Sequence, residues 1–148
     1  MNSDSDILLK LHEEEWALIR HYEEQRAVVT NFVLIVASAA VGFLVQKGVI
    51  FDSLPVAILL IVLGIYGAIT VTKLYERTQY ASRLAKHYTN RLDELYPTVG
   101  IGQLRDEARA EHKVKFPVAS RLHMNHLWFA LHMAVALVGV GLTIAILI

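Results

Sequence analysis

Ala27–Gln46 reads AVVTNFVLIVASAAVGFLVQ, twenty residues without a charged side chain. A hydrocarbon core about 30 Å thick is crossed by roughly 20 apolar residues in a helix, so this stretch is long enough to span a bilayer. To its C-terminal side, Gly48–Thr72 carries only Asp52, and Leu122–Ile148 carries no Asp, Glu, Lys or Arg. Both pass the same test of length. Of the 28 charged residues, 16 lie between Lys73 and Arg121. The pattern predicts an all-α polytopic membrane protein with three transmembrane helices, folded as a single membrane domain over residues 1–148.

Composition points the same way. Hydrophobic residues make up 55% of the chain, above the usual share of a soluble domain. The complete lack of cysteine excludes disulfides, thiolate catalysis, Cys-ligated zinc and palmitoylation. The N-terminal MNSDSDILLKLHEEEW is acidic and has no apolar h-region, so it does not read as a signal peptide.

A net charge of zero conceals a strong polarity. Residues 1–27 hold three Lys/Arg against seven Asp/Glu, a net of −4. Residues 73–122 hold ten against six, a net of +4. Lys and Arg are retained on the cytoplasmic side. The N-terminus and residues 73–122 are therefore expected inside, with the Lys47–Ser53 turn and the C-terminus outside.

Along the chain, Ser3, Ser5 and Asp6 offer N-caps, and Ile7, Leu11, Leu18 and Tyr22 form an amphipathic stripe. No Gly or Pro intervenes before Gly42, which predicts one cytosolic helix running into the first span over residues 6–46. Ser53 is a candidate N-cap and Pro55 a tolerated first-turn proline for a second long helix over 55–96. Leu74, Thr78, Ala81, Ala85, Tyr88, Leu92 and Leu95 step by four and three, a heptad seam. Two long helices joined by a short turn are expected to form an antiparallel cytosolic stalk. Acidic Glu14, Glu15 and Glu23 would face basic Arg77, Arg83, Lys86 and Arg91 across it, as candidate gating or docking residues. Pro97 ends the second helix, and residues 97–117 form a loop and a short helix over Leu104–Lys113. The third span occupies 118–148, with Trp128 and Arg121 as interfacial anchors.

Chemistry-bearing residues are few. Polar groups inside a span often mark ion paths or proton relays, and His132 is the titratable group well inside one. Thr30, Asn31, Ser38 and Gln46 join it as candidate pore or intramembrane polar residues. The competing account is a neutral imidazole hydrogen-bonded to another helix. His123 and His126 have metal-ligand spacing without a third ligand, so no metal site is expected. Arg121 and His126 also fit the loose Arg-x4-His pattern of HEPN ribonucleases, but beside an apolar span. Small residues recur at helical spacing: Ser38 and Gly42, Gly64 and Ala68, Ala130 and Ala134, Gly141 and Ala145. They suit close helix contacts, within a chain or between subunits. The basic 73–122 segment could bind nucleic acid or anionic lipid, but its six interspersed acids favour positive-inside retention and pairing with the acidic N-terminal stalk instead. No phosphate-binding glycine loop, nucleophile elbow or paired catalytic carboxylate occurs, so neither an enzyme nor a cofactor is expected.

WALIRHYEEQRAVVTNF leads into the first span, and TKLYERTQYASRLAKHYTNRLDEL leaves the second. With their flanking helices, residues 6–95 resemble the SLATT type of small bacterial membrane effector. The resemblance implies a bacterial inner-membrane protein of an antiphage-type system, acting as a homo-oligomeric pore. It also implies a cytosolic protein or nucleotide-signal partner. A third span departs from the simplest two-span layout of that type. The expected function is thus a pore-forming or membrane-disrupting effector gated through its cytosolic stalks. The alternatives are a non-conducting scaffold that recruits a cytosolic partner, and a transporter with His132 in a proton relay.

Overall fold

The computed structural model describes residues 3–121 and 123–148; Met1, Asn2 and Leu122 lie outside the described residues. Four α-helices and no strand occur among the described residues: α1 (Asp4–Lys47), α2 (Leu54–Leu95), α3 (Ile101–Lys115) and α4 (Met124–Leu147). Short 3-10 turns occupy Phe51–Ser53 and Ala119–Arg121. Three segments are long and apolar enough to cross a membrane: α1, Phe51–Leu95 and α4.

Local chemistry explains the boundaries. At the start of α1 the Ser3 hydroxyl accepts from the Asp6 amide at 3.4 Å, and Asp6 accepts the Ser3 amide at 3.1 Å. This is a capping box with Asp in place of Glu. The helix closes at Gly48, whose φ of 86° suits glycine and whose amide reaches the Leu44 carbonyl at 2.9 Å. Ser53 departs from its expected role. Its hydroxyl donates back to the Gly48 carbonyl at 3.0 Å, tightening the turn rather than capping α2. Helix α2 ends two residues before Pro97. Helix α4 starts at Met124 rather than at 118, because the chain first makes the 3-10 turn over Ala119–Arg121.

The chain packs as two compact units, to both of which α1 and α2 contribute. One comprises Met1–Glu23 and Glu76–His123. In it Thr78, Ala81, Ala85 and Leu92 are buried along the heptad seam, while Leu95 at its end is exposed. The inward face of α1 departs from the expected stripe. Of its four residues Leu11 and Tyr22 are half-buried, as are Leu8, His12, Glu15 and Ile19 beside them, whereas Ile7 and Leu18 are exposed. Leu8, His12, Glu15, Ile19 and Tyr22 step by four and three, matching the heptad of α2.

Helix α3 begins three residues earlier than its sequence pattern predicts. Asp93 of α2 accepts the amides of Ile101 at 2.7 Å and Gly102 at 3.1 Å, meeting two donors that a helix start leaves orphaned. A Cβ on Gly102 would lie 2.8 Å from that carboxylate, so glycine permits the approach. Arg105 reaches Asn90 at 3.3 Å one turn further on.

The other unit comprises Glu24–Tyr75 and Met124–Ile148. Its core is built from small side chains: Val33, Ala37 and Ala40 of α1, Ala57, Ala68 and Val71 of α2, and Ala136 of α4, with Leu44 and Leu60. Small residues let the helix backbones approach closely.

Candidate functional site

The approach of α2 to α4 is set by glycine. A Cβ at Gly64 would lie 2.5 Å from the Ala136 nitrogen and 2.7 Å from the His132 carbonyl oxygen. One at Gly139 would lie 2.7 Å from the Ala57 carbonyl oxygen. The two backbones are therefore in contact, and side chains between them have almost no room. The exception is His132, which finds its space over Gly67. A Cβ there would overlap the imidazole, at 2.6 Å from Cε1 and 2.8 Å from Cγ.

His132 is 1% exposed, and so is Thr30 of α1. Their Nε2 and Oγ1 atoms are 3.1 Å apart. The Thr30 hydroxyl donates its proton to the Arg26 carbonyl at 2.9 Å. Its oxygen is then the acceptor, so the imidazole must donate from Nε2. The tautomer follows: the proton is on Nε2, and Nδ1 carries a lone pair with no hydrogen-bond partner. The resulting chain runs from imidazole to hydroxyl to backbone carbonyl. A carbonyl cannot hand a proton onward, so this chain joins helices rather than conducting protons.

Above this pair lies a second polar layer. The Arg26 side chain is 4% exposed, and its guanidinium sits 5.3 Å from the Trp128 ring centroid, a cation–π contact. Asn125, Trp128 and His132 recur at helical spacing on α4. Asn125 Oδ1 and Trp128 Nε1 are buried, like His132 Nδ1, without hydrogen-bond partners among the described residues. The unit thus concentrates its buried polarity on one stretch of α4, facing Arg26 and Thr30.

The five intramembrane candidates divide. Thr30 and His132 come together; Asn31, Ser38 and Gln46 remain exposed on α1. The small-residue pairs divide likewise. Gly64 and Ala68 are buried, whereas Ser38, Gly42, Ala130, Ala134, Gly141 and Ala145 face outward. Gly42 and Gly141 have nothing within 4 Å of a would-be Cβ.

Of the candidate stalk residues, Glu14, Arg77, Arg83, Lys86 and Arg91 are exposed, and Glu15 and Glu23 half-buried. Arg91 pairs at 2.6 Å with Glu94 on its own helix. Among the described residues no ion pair joins Glu14 or Glu15 to Arg77, Arg83 or Lys86. No group of three His, Asp or Glu gathers at metal-binding range among them either.

Sequence reasoning passed over Arg26, Gly67, Asn125 and Asp93. Arg26 was hidden by its position at the end of a charged segment. Gly67 was one apolar-span glycine among several, and only the opposing imidazole distinguishes it. Comparison with known protein families, curated proteins and solved structures gives no match.

Proposed function

We propose that the protein is a homo-oligomeric effector of a bacterial inner membrane, pore-forming or membrane-disrupting, and gated through its cytosolic stalks. One observation carries the proposal. Asn31, Ser38 and Gln46 are exposed within a membrane-length helix, and their side chains make no hydrogen bond among the described residues. An unmet amide in hydrocarbon costs several kcal/mol. A second copy, or a water-filled lumen between copies, removes that cost. Asn31, Ser38 and Gly42 lie within about 20° of one line along α1 at ~100° per residue. The same face borders an apolar groove of about 530 Å³ shared with Ala134 and Val138 of α4.

The stalks run antiparallel in this proposal. Asp4, Ile7 and Leu8 share a cleft with Arg91 and Leu95, which supports that arrangement. Positive-inside retention places them in the cytosol with the C-terminus outside. The resemblance over residues 6–95 supports an antiphage-type setting.

Because the chain has no cysteine, single probes report cleanly. Ser38→Cys in reconstituted protein should crosslink between copies, and the wild type should release a vesicle-trapped dye once activated. A monomer at every concentration, with bilayers intact under all activating conditions, would sink the proposal. The alternative is a non-conducting scaffold. It is favoured by α3, which buries no residue and exposes Leu104 and Val114, with Phe116 exposed just past its end. A stoichiometric soluble partner without leakage would select it.

A further inference from the structure

A cavity of about 680 Å³ opens within the charged unit. Its walls are mostly apolar, with Leu9, Trp16 and Ile19 of α1, Leu92 of α2 and Ile101 of α3. Four cationic side chains also line it: Arg83 and Lys86 of α2, Arg105 and Arg109 of α3. Among the described residues no Asp or Glu lines it. Ligand sites are typically clefts of ~300–1,000 Å³ with apolar walls and a few convergent polar groups, and this cavity has that make-up.

The local bonding leaves the cations available. Arg105 gives one terminal nitrogen to Asn90 at 3.3 Å, but its Nε is buried with no hydrogen-bond partner. Arg109 has only a loose, exposed contact with Asp106 at 3.8 Å. Arg83 and Lys86 are exposed and make no ion pair among the described residues. The N-terminal amides of α3 are already taken by Asp93, so the anion would be held by side chains. Trp16 donates its Nε1 to His12 at 3.0 Å, with the rings edge-on at 6.2 Å. That bond fixes the indole at the cavity wall while it remains 47% exposed.

We propose that this cavity binds an organic phosphate, its phosphate held by Arg83, Lys86, Arg105 and Arg109 and its apolar body against Trp16, Leu9 and Ile19. Guanidinium forks match phosphate oxygens, and clustered cations concentrate anions. An inorganic ion would leave the apolar wall and most of the volume unused. The proposal goes beyond pore formation and does not depend on it. The same chemistry is carried by a soluble nucleotide, with a flat base for Trp16, and by an anionic phospholipid.

The full chain in detergent tests it. Trp128→Phe leaves Trp16 as the single indole, since the chain has two tryptophans. Adding ATP, or exchanging into phosphatidylglycerol nanodiscs rather than phosphatidylcholine ones, should change Trp16 emission saturably. Arg109→Gln, which removes no buried contact, should weaken the response about tenfold, and Arg105→Gln by at least as much. A response to ATP identifies the soluble source; a response to phosphatidylglycerol alone identifies the lipid. No saturable response to either, or one untouched by Arg109→Gln, overturns the proposal.

Discussion

The slot that Gly67 opens for His132 can be tested by a double-mutant cycle. In Gly67→Ala the new methyl would lie 2.6 Å from Cε1 and 2.8 Å from Cγ of His132. Ordinary carbon contacts fall at ~3.5–4.0 Å, so the overlap approaches 1 Å. The ring cannot easily swing away, because it is 1% exposed and tied to Thr30. Overpacking of this kind costs ~1–3 kcal/mol. His132→Ala removes both ring and hydrogen bond and should itself destabilise. In that background the methyl enters vacated space, and Gly→Ala in a helix interior returns up to ~1 kcal/mol. The expected coupling is about 2 kcal/mol, or roughly 30-fold in the unfolding equilibrium. Reversible unfolding of the purified protein in mixed micelles, followed by circular dichroism, measures all four variants. If the two single effects add to within ~0.5 kcal/mol, the slot has no energetic meaning and the packing argument fails.

Thr30→Val removes the acceptor for His132 Nε2 and should cost ~0.6–1.7 kcal/mol in the same assay, whereas Thr30→Ser should restore most of it. Gly64→Ala, facing the α4 backbone, should destabilise by more than ~1 kcal/mol, while Gly141→Ala, in open space, should be neutral or stabilising. Asp93→Asn weakens charge-assisted bonds to the Ile101 and Gly102 amides, so amide exchange there should accelerate at least ~10-fold with the spans unaffected. The Arg91–Glu94 pair has both side chains more than 60% exposed. Arg91→Gln should therefore shift overall stability by less than ~1 kcal/mol, and a larger loss would reveal a partner beyond Glu94.

Much of the candidate site was legible as residue types but not as partnerships. His132 stood out because a titratable group in a charge-free stretch is costly and so needs a reason. Thr30 was one of four polar companions, and nothing in its neighbourhood singled it out from Asn31. The two differ by about 100° around α1, enough to put one against α4 and leave the other exposed. Small residues behaved the same way. Gly64 and Gly42 look alike in sequence, yet one meets the Ala136 backbone and the other meets nothing within 4 Å.

Composition and spacing alone determined the all-helical class, the three membrane-length apolar segments and most helix boundaries. Those depend on quantities local to the chain: segment length, charge, caps and breakers. Tertiary structure alone decided which polar groups are bonded inside the chain and which remain outward. It set the His132 tautomer through Thr30, 102 residues away, placed Arg26 over the Trp128 ring, and made Asp93 the anchor of α3. The physical reason is the same in each case. A helix repeats too regularly for its own sequence to say which face will be opposed, and only the opposing backbone turns a glycine into a slot or a histidine into a clasp.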